Sequence, residues 1–435
     1  MSNIESVAEP GPSDAAAGAP AASGGAQSAL QRRTLAVLIV MQIIGTVGVG
    51  VAPSVGVLLA GEVTQNEAWA GLARTASTLG AALLGLPLGN LAARHGRRTA
   101  LTSGWWLAAF GSAILVVAAQ FSLVVPLSVG LLFIGAGSAV SLQARFAATD
   151  LAEPQHQGRA LSIVVWVGTI GSVLGPNLGA PGRLIGDLTG LNVYAGAFLI
   201  AAVCLALAGL IVFAWLRPDP LRERQRAEGM TATAAKRASG RLRRILDELR
   251  VNPRARYAVG AILSAQLVMV SVMTMTPVHM AHQGGSITLV GITISLHIVG
   301  MYGLAPLVGV LADRLGHRAT IAAGIVILLV SLGLGAWRPD DTGWIIASLI
   351  LLGVGWSFVN VSASALFARV VSDETRASSQ GGVDALANLC GATAAFAAGP
   401  LLAISTFATL SLIAIVLLVP LIIATLRGTG RRQAA

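Results

Sequence analysis

Charge is what this chain has least of. Asp, Glu, Lys and Arg make up 11% of its 435 residues, under half of the roughly 25% carried by a soluble globular chain. With 55% hydrophobic residues and a mean hydropathy of +0.76, that shortage excludes the soluble domains the length would otherwise permit. Cysteine is also scarce. Cys204 and Cys390 each lie inside an apolar run with no CxxC spacing, which excludes a disulfide or zinc framework. No carboxylate lies deep in an apolar run, so no acid stands out as a proton relay. No activated nucleophile, metal triad or phosphate-cradling loop is legible, and no enzymatic activity is expected.

Long apolar runs dominate instead. About 20 apolar residues are needed to cross ~30 Å of hydrocarbon, and runs of that length recur along the chain. Without period-two alternation they read as helices rather than barrel strands. The expected spans are 34–58, 69–91, 99–119, 122–147, 158–180 and 193–216, then 257–280, 286–311, 318–337, 343–368, 378–402 and 405–427. This predicts an all-α integral membrane protein of two six-helix halves, 34–216 and 257–427. Residues 1–33, rich in Ala, Gly, Ser and Pro, read as a disordered cytoplasmic tail rather than a signal peptide. Residues 428–435 read as a second short tail.

Basic residues set the orientation. Arg32, Arg33, Arg94, Arg97, Arg98, Arg159, Arg314, Arg318, Arg369, Arg376 and Arg427 fall on one side of the predicted spans. Glu62, Glu67, Asp187, Asp340 and Asp341 fall on the other, with Arg183 and Arg338. Both termini are therefore expected in the cytoplasm of a bacterial inner-membrane protein. The net charge of +10 does not point to nucleic acid, because the arginines are spread over short loops rather than one face. The linker 217–256 carries twelve Lys or Arg against five acids. Leu242, Ile245, Leu246 and Leu249 recur there at helical spacing, as in a helix lying on anionic headgroups, although a solvated basic linker reads equally well. The chain is expected to act as a monomer.

The halves echo one another: Phe146, Gly158, Gly168, Gly175 and Pro176 match Phe367, Gly381, Gly391, Gly399 and Pro400. Residues 89–98 read GNLAARHGRR, and 309–318, six spans later, read GVLADRLGHR. Both resemble the GxLxDRxGRR signature of the major facilitator superfamily, in the loops where that family carries it. The resemblance implies the twelve-span fold and a gating role on the cytoplasmic face for Gly89, Arg94, Gly96 and Arg97, and for Gly309, Asp313, Arg314, Gly316 and Arg318. Ala93 replaces the acid of the first copy, which implies weaker ion pairing there. Residues 171–179, GSVLGPNLG, resemble the GxxxGPxxG signature of drug–proton antiporters in the same superfamily. Gly171, Gly175, Pro176 and Gly179 would give a closely packed, kinkable helix.

Ionisable groups inside the spans are functional candidates. They are Arg74, Arg145 and Asp384, each nearer a span end and each a candidate for coupling, and His297 near a midplane. Five of the eight methionines lie between 269 and 301. Met269 and Met273 share one helix face, as do His297 and Met301. From opposite membrane faces the two pairs lie roughly 18 and 16 Å deep, nearly one level. Thioether and imidazole form a soft set suited to Cu(I), although methionine also fills apolar helices and a buried histidine can simply hydrogen-bond. The paired MxxxM and HxxxM motifs resemble those of a copper-importing branch of the superfamily, which is itself similar to carriers of riboflavin. That resemblance implies Met269, Met273, His297 and Met301 as ligands of copper as cargo, with no permanently bound cofactor. Copper(I) uptake by alternating access is the first reading. Inward movement of one positive charge gains ~2.3 kcal/mol per 100 mV, so no coupling acid would be needed. The alternative is proton-coupled efflux or uptake of a small organic compound.

Overall fold

Backbone polar groups in hydrocarbon must bond internally, and the apolar runs meet that demand as helices. The computed structural model describes residues 20–66, 69–153, 156–227, 249–250, 252–371 and 373–427. Among them, twelve helical stretches are long and apolar enough to cross a bilayer. Span 1 comprises Pro20–Val49, a π turn at Ala52–Gly56, and Val57–Thr64. Spans 2 to 4 are Ala70–His95, Arg97–Phe121 and Val124–Thr149. Span 5 is Gln157–Leu174, a 3-10 turn Gly175–Leu178, and Gly179–Thr189; span 6 is Val193–Trp215. After the short helix Pro220–Ala227, span 7 is Pro253–His282, and span 8 is Ile287–Tyr302 continued by Ala305–Leu315. Spans 9 to 12 are His317–Trp337, Thr342–Val370, Asp373–Ile404 and Phe407–Arg427.

Helix starts upstream of the expected residue 34: Pro20 suits a first helical position, and Ala26, Gln27, Ala29, Leu30 and Gln31 favour helix in a stretch too polar for lipid. Hydropathy marks the edge of the bilayer, not the end of the helix. The proposed surface helix at Leu242, Ile245 and Leu246, and the tails 1–19 and 428–435, lie outside the described residues. Leu249 packs against the core.

The halves share one internal plan. Span 3 packs on spans 4 and 6, and span 9 packs in the same way on spans 10 and 12. Between the halves, span 2 meets span 11 and span 5 meets span 8. With twelve spans the first and last helices end on one membrane face, called the terminal face below; the other is the far face.

Among the described residues, the contacts that close the seam between the halves lie toward the far face. At the far end of span 2, a Cβ on Gly71 would collide with the Ala395 carbonyl of span 11. One turn on, Thr75 Oγ1 donates to the Ala392 carbonyl at 3.1 Å. In the far half of span 8, a Cβ on Gly291 would meet the Pro176 carbonyl of span 5 at 2.6 Å. Asn177 Nδ2 donates to Ser295 Oγ at 2.7 Å, and Ser295 Oγ to the Val173 carbonyl at 2.6 Å. Toward the terminal face the same two spans stand free: a Cβ on Gly89 or Gly309 would meet nothing within 4 Å. The halves therefore diverge into a cleft open to the terminal face. Gly89 and Gly309 thus serve no close helix approach in this conformation. Gly96 and Gly316 do serve the turn, with φ of 91° and 90°.

Candidate functional site

The cleft walls follow from which helix faces make the seam. Gly71, Arg74 and Thr75 share one face of span 2 by spacing. Gly71 and Thr75 touch span 11, so Arg74 belongs to the face turned toward the second half. On span 8, Ser295 and Tyr302 are seven residues apart and share a face. Ser295 bonds span 5, which turns Tyr302 toward the first half, two turns nearer the terminal face. On span 11, Asp384 shares a face with Gly391 and Ala395; Gly391 lies by Gln266 and Val270 of span 7. Arg145 lies on span 4, two residues beyond Gln143, which donates to the Gly85 carbonyl of span 2 at 3.2 Å.

The structure brings these groups within electrostatic range of one another. The charges of Arg74, Arg145 and Asp384 all act on Tyr302, and Arg145 acts on Asp384 across the two halves. Arg74, Arg145 and Tyr302 are half-buried and Asp384 is exposed to the cleft. Behind Tyr302 lies buried Trp356, edge-on with ring centroids 5.8 Å apart. Its indole N–H donates to Gln266 Oε1 at 3.0 Å. Sequence reading singled out the three charges but missed Tyr302, Trp356 and Gln266, because a search for ionisable groups passes over neutral polar and aromatic side chains. With only three tyrosines in the chain, a tyrosine deep in a span was a usable signal.

Met269, Met273, His297 and Met301 are all buried in protein rather than turned to lipid. His297 Nδ1–H donates to the Leu349 carbonyl of span 10 at 2.7 Å, which makes Nε2 the bare lone pair of the neutral ring. Nε2 is buried and has no hydrogen-bond partner. The positive charge of Arg74 acts on this ring. Span 7 packs chiefly on spans 10 and 11 and span 8 chiefly on span 10, rather than on each other.

On the terminal face the two signature loops make parallel contacts. Arg98 Nε donates to the Phe213 carbonyl of span 6 at 2.8 Å, and Arg318 Nη2 to the Ala424 carbonyl of span 12 at 2.9 Å. The ion pairs differ between the copies. Asp313 pairs with Arg369 at the end of span 10, 2.6 Å apart. In the first copy Arg97 Nε pairs instead with Asp150 at the end of span 4, at 2.8 Å. Asp219, at the start of the linker, accepts from the Arg98 amide at 2.7 Å and lies where a Cβ on Gly96 would stand. The acid lost at Ala93 is thus supplied from two other places, which corrects the expectation of weaker pairing. In span 5, a Cβ on Gly171 would meet Thr46 and Ile43 of span 1, and one on Gly175 would meet Gly50. Pro176 opens the 3-10 turn, and Gly179 lies against Ile287 of the second half.

Two duplicated six-helix bundles flanking a polar cleft define a membrane carrier by architecture. The family model of the Major Facilitator Superfamily matches residues 35–284 and 257–434, and the chain belongs to that superfamily. It is 37% identical over 412 residues to the uncharacterized MFS-type transporter YdeG of Bacillus subtilis strain 168, covering 93% of this chain and 94% of the relative. It is 30% identical over 402 residues to the riboflavin transporter RfnT of Brucella anthropi, covering 90% of this chain and 96% of the relative. Among solved structures, the nucleoside transporter NupG superposes with a TM-score of 0.66 at 17% identity, over 92% of this chain and 98% of that one. That likeness shows the fold alone.

Proposed function

We propose that this carrier moves a small organic solute by alternating access, with the solute bound in the cleft between Arg74 and Arg145 of the first half and Tyr302 and Asp384 of the second. The observation that carries this reading is a single polar cluster drawn from both halves, at the place where a rocking of one half against the other exposes a site to each face in turn. The kinship with a riboflavin transporter favours an organic cargo. The copper reading of Met269, Met273, His297 and Met301 is the competing assignment. Against it, Arg74 places a positive charge in the field of His297, which repels a cuprous ion at Nε2. The terminal face is taken as cytoplasmic, because the arginines at the span ends collect there, and the cleft is then open to the cytoplasm.

The test measures accumulation of radioactive copper and of labelled riboflavin in cells expressing wild type, Met273→Ala, His297→Ala, Met301→Ala and Arg145→Gln. Organic uptake or extrusion lost in Arg145→Gln, with copper unchanged in all, is expected. Copper accumulation that falls in all three Met and His variants would replace this reading with the copper one.

A further inference from the structure

Within the organic-solute reading, the charge of the cleft is unbalanced. Two guanidinium groups face it against one carboxylate, and both are half-buried. Among the described residues Arg74 has no hydrogen-bond acceptor, and the groups in its field are Tyr302 across the seam and the His297 ring. Asp384 lies in the field of Arg145 without an ion pair or hydrogen bond to it. Among the described residues, neither arginine forms an ion pair. An arginine side chain carries five N–H donors and keeps its charge at any working pH. Two such forks, partly withdrawn from water and left without protein acceptors, are matched best by the paired oxygens of a carboxylate or phosphate. Opposite them stands an aromatic wall, the Tyr302 ring backed by Trp356.

We propose that the cargo is a small planar organic anion: its carboxylate or phosphate lies between Arg74 and Arg145, and its aromatic body against Tyr302. This deepens the organic-solute reading and depends on it. Asp384 is then a placeholder. Its carboxylate offsets the charge of Arg145 while the cleft is empty, and the anion displaces that interaction on binding.

The test uses the full-length protein purified in detergent and three matched pairs of probes, each an aromatic anion with a neutral counterpart: flavin mononucleotide and riboflavin, nicotinate and nicotinamide, benzoate and benzamide. Binding is read as ligand-dependent thermal stabilisation. At least one anion is expected to bind tenfold or more tightly than its neutral partner. Arg74→Gln and Arg145→Gln should each weaken it by about tenfold or more. Arg74→Lys, which keeps the charge but loses the fork, should keep part of the affinity, and Asp384→Asn should tighten binding. The phosphate and carboxylate pairs separate the two anion types. Neutral probes binding as well as their anions, or no anion binding to well-folded wild type, would overturn the anion proposal. The first of those outcomes leaves the organic-solute reading standing. Stabilisation by Cu(I) alone would remove both.

Discussion

The two ion pairs of the signature loops offer a direct comparison of buried and exposed charge in one molecule. Arg97 and Asp150 keep only 16% and 4% of their side-chain surface exposed, and a second contact joins Arg97 Nη2 to Asp150 Oδ1 at 3.4 Å. Arg369 and Asp313 keep 61% and 63%. Asp150→Asn retains the shape but leaves the Arg97 guanidinium buried against a neutral amide. Removing one partner of a buried pair costs about 3–5 kcal/mol, and the residual exposure of Arg97 argues for the lower end. About 3 kcal/mol is more than a hundredfold in the folding equilibrium. Asp313→Asn breaks a pair worth ~0–1 kcal/mol. Unfolding of the purified protein by SDS in mixed micelles should therefore separate the two variants clearly. The double variant Arg97→Gln/Asp150→Asn should regain much of the loss, because no lone charge is left buried. Equal destabilisation by Asp150→Asn and Asp313→Asn, or a double variant no better than the single one, would refute the argument.

Two further outcomes follow from the same contacts. Asp313→Asn should slow transport while leaving solute affinity in the detergent-solubilised protein unchanged, since Asp313 bonds Arg369 on the terminal face and not the cleft; unaltered uptake kinetics would remove its gating role. Asn177→Ala deletes the bond from Asn177 to Ser295 across the far seam. A net loss of about 0.5–1.5 kcal/mol should shift the population toward far-face opening several-fold. An impermeant maleimide applied from the far side to Ala392→Cys should report the shift as faster labelling, and an unchanged rate would mean this bond does not hold the seam.

Much of the architecture was readable before any helix was placed. Apolar runs of about 20 residues have one stable solution in hydrocarbon, so span number, the six-and-six division and the superfamily followed from one dimension of information. The turns at Gly96 and Gly316 were equally legible, because only glycine takes φ near 90° readily. Side-chain direction was not legible. Arg74, Arg145 and Asp384 are each nearer a span end, and nothing in their spacing joins span 2 to span 4 or span 11. Replacement of the acid at Ala93 by Asp150 and Asp219 was equally hidden, since the substitutes lie 57 and 126 residues further along the chain. Helical periodicity tells which residues share a face, but which face meets which neighbour depends on how all the helices pack at once. The far-face seam at Gly71 and Gly291, the cleft beneath it, and the meeting of two arginines with Tyr302 exist only in that packing. The sequence by itself determined a membrane carrier of twelve helices; only the tertiary structure decided where its halves touch and which charges face each other between them.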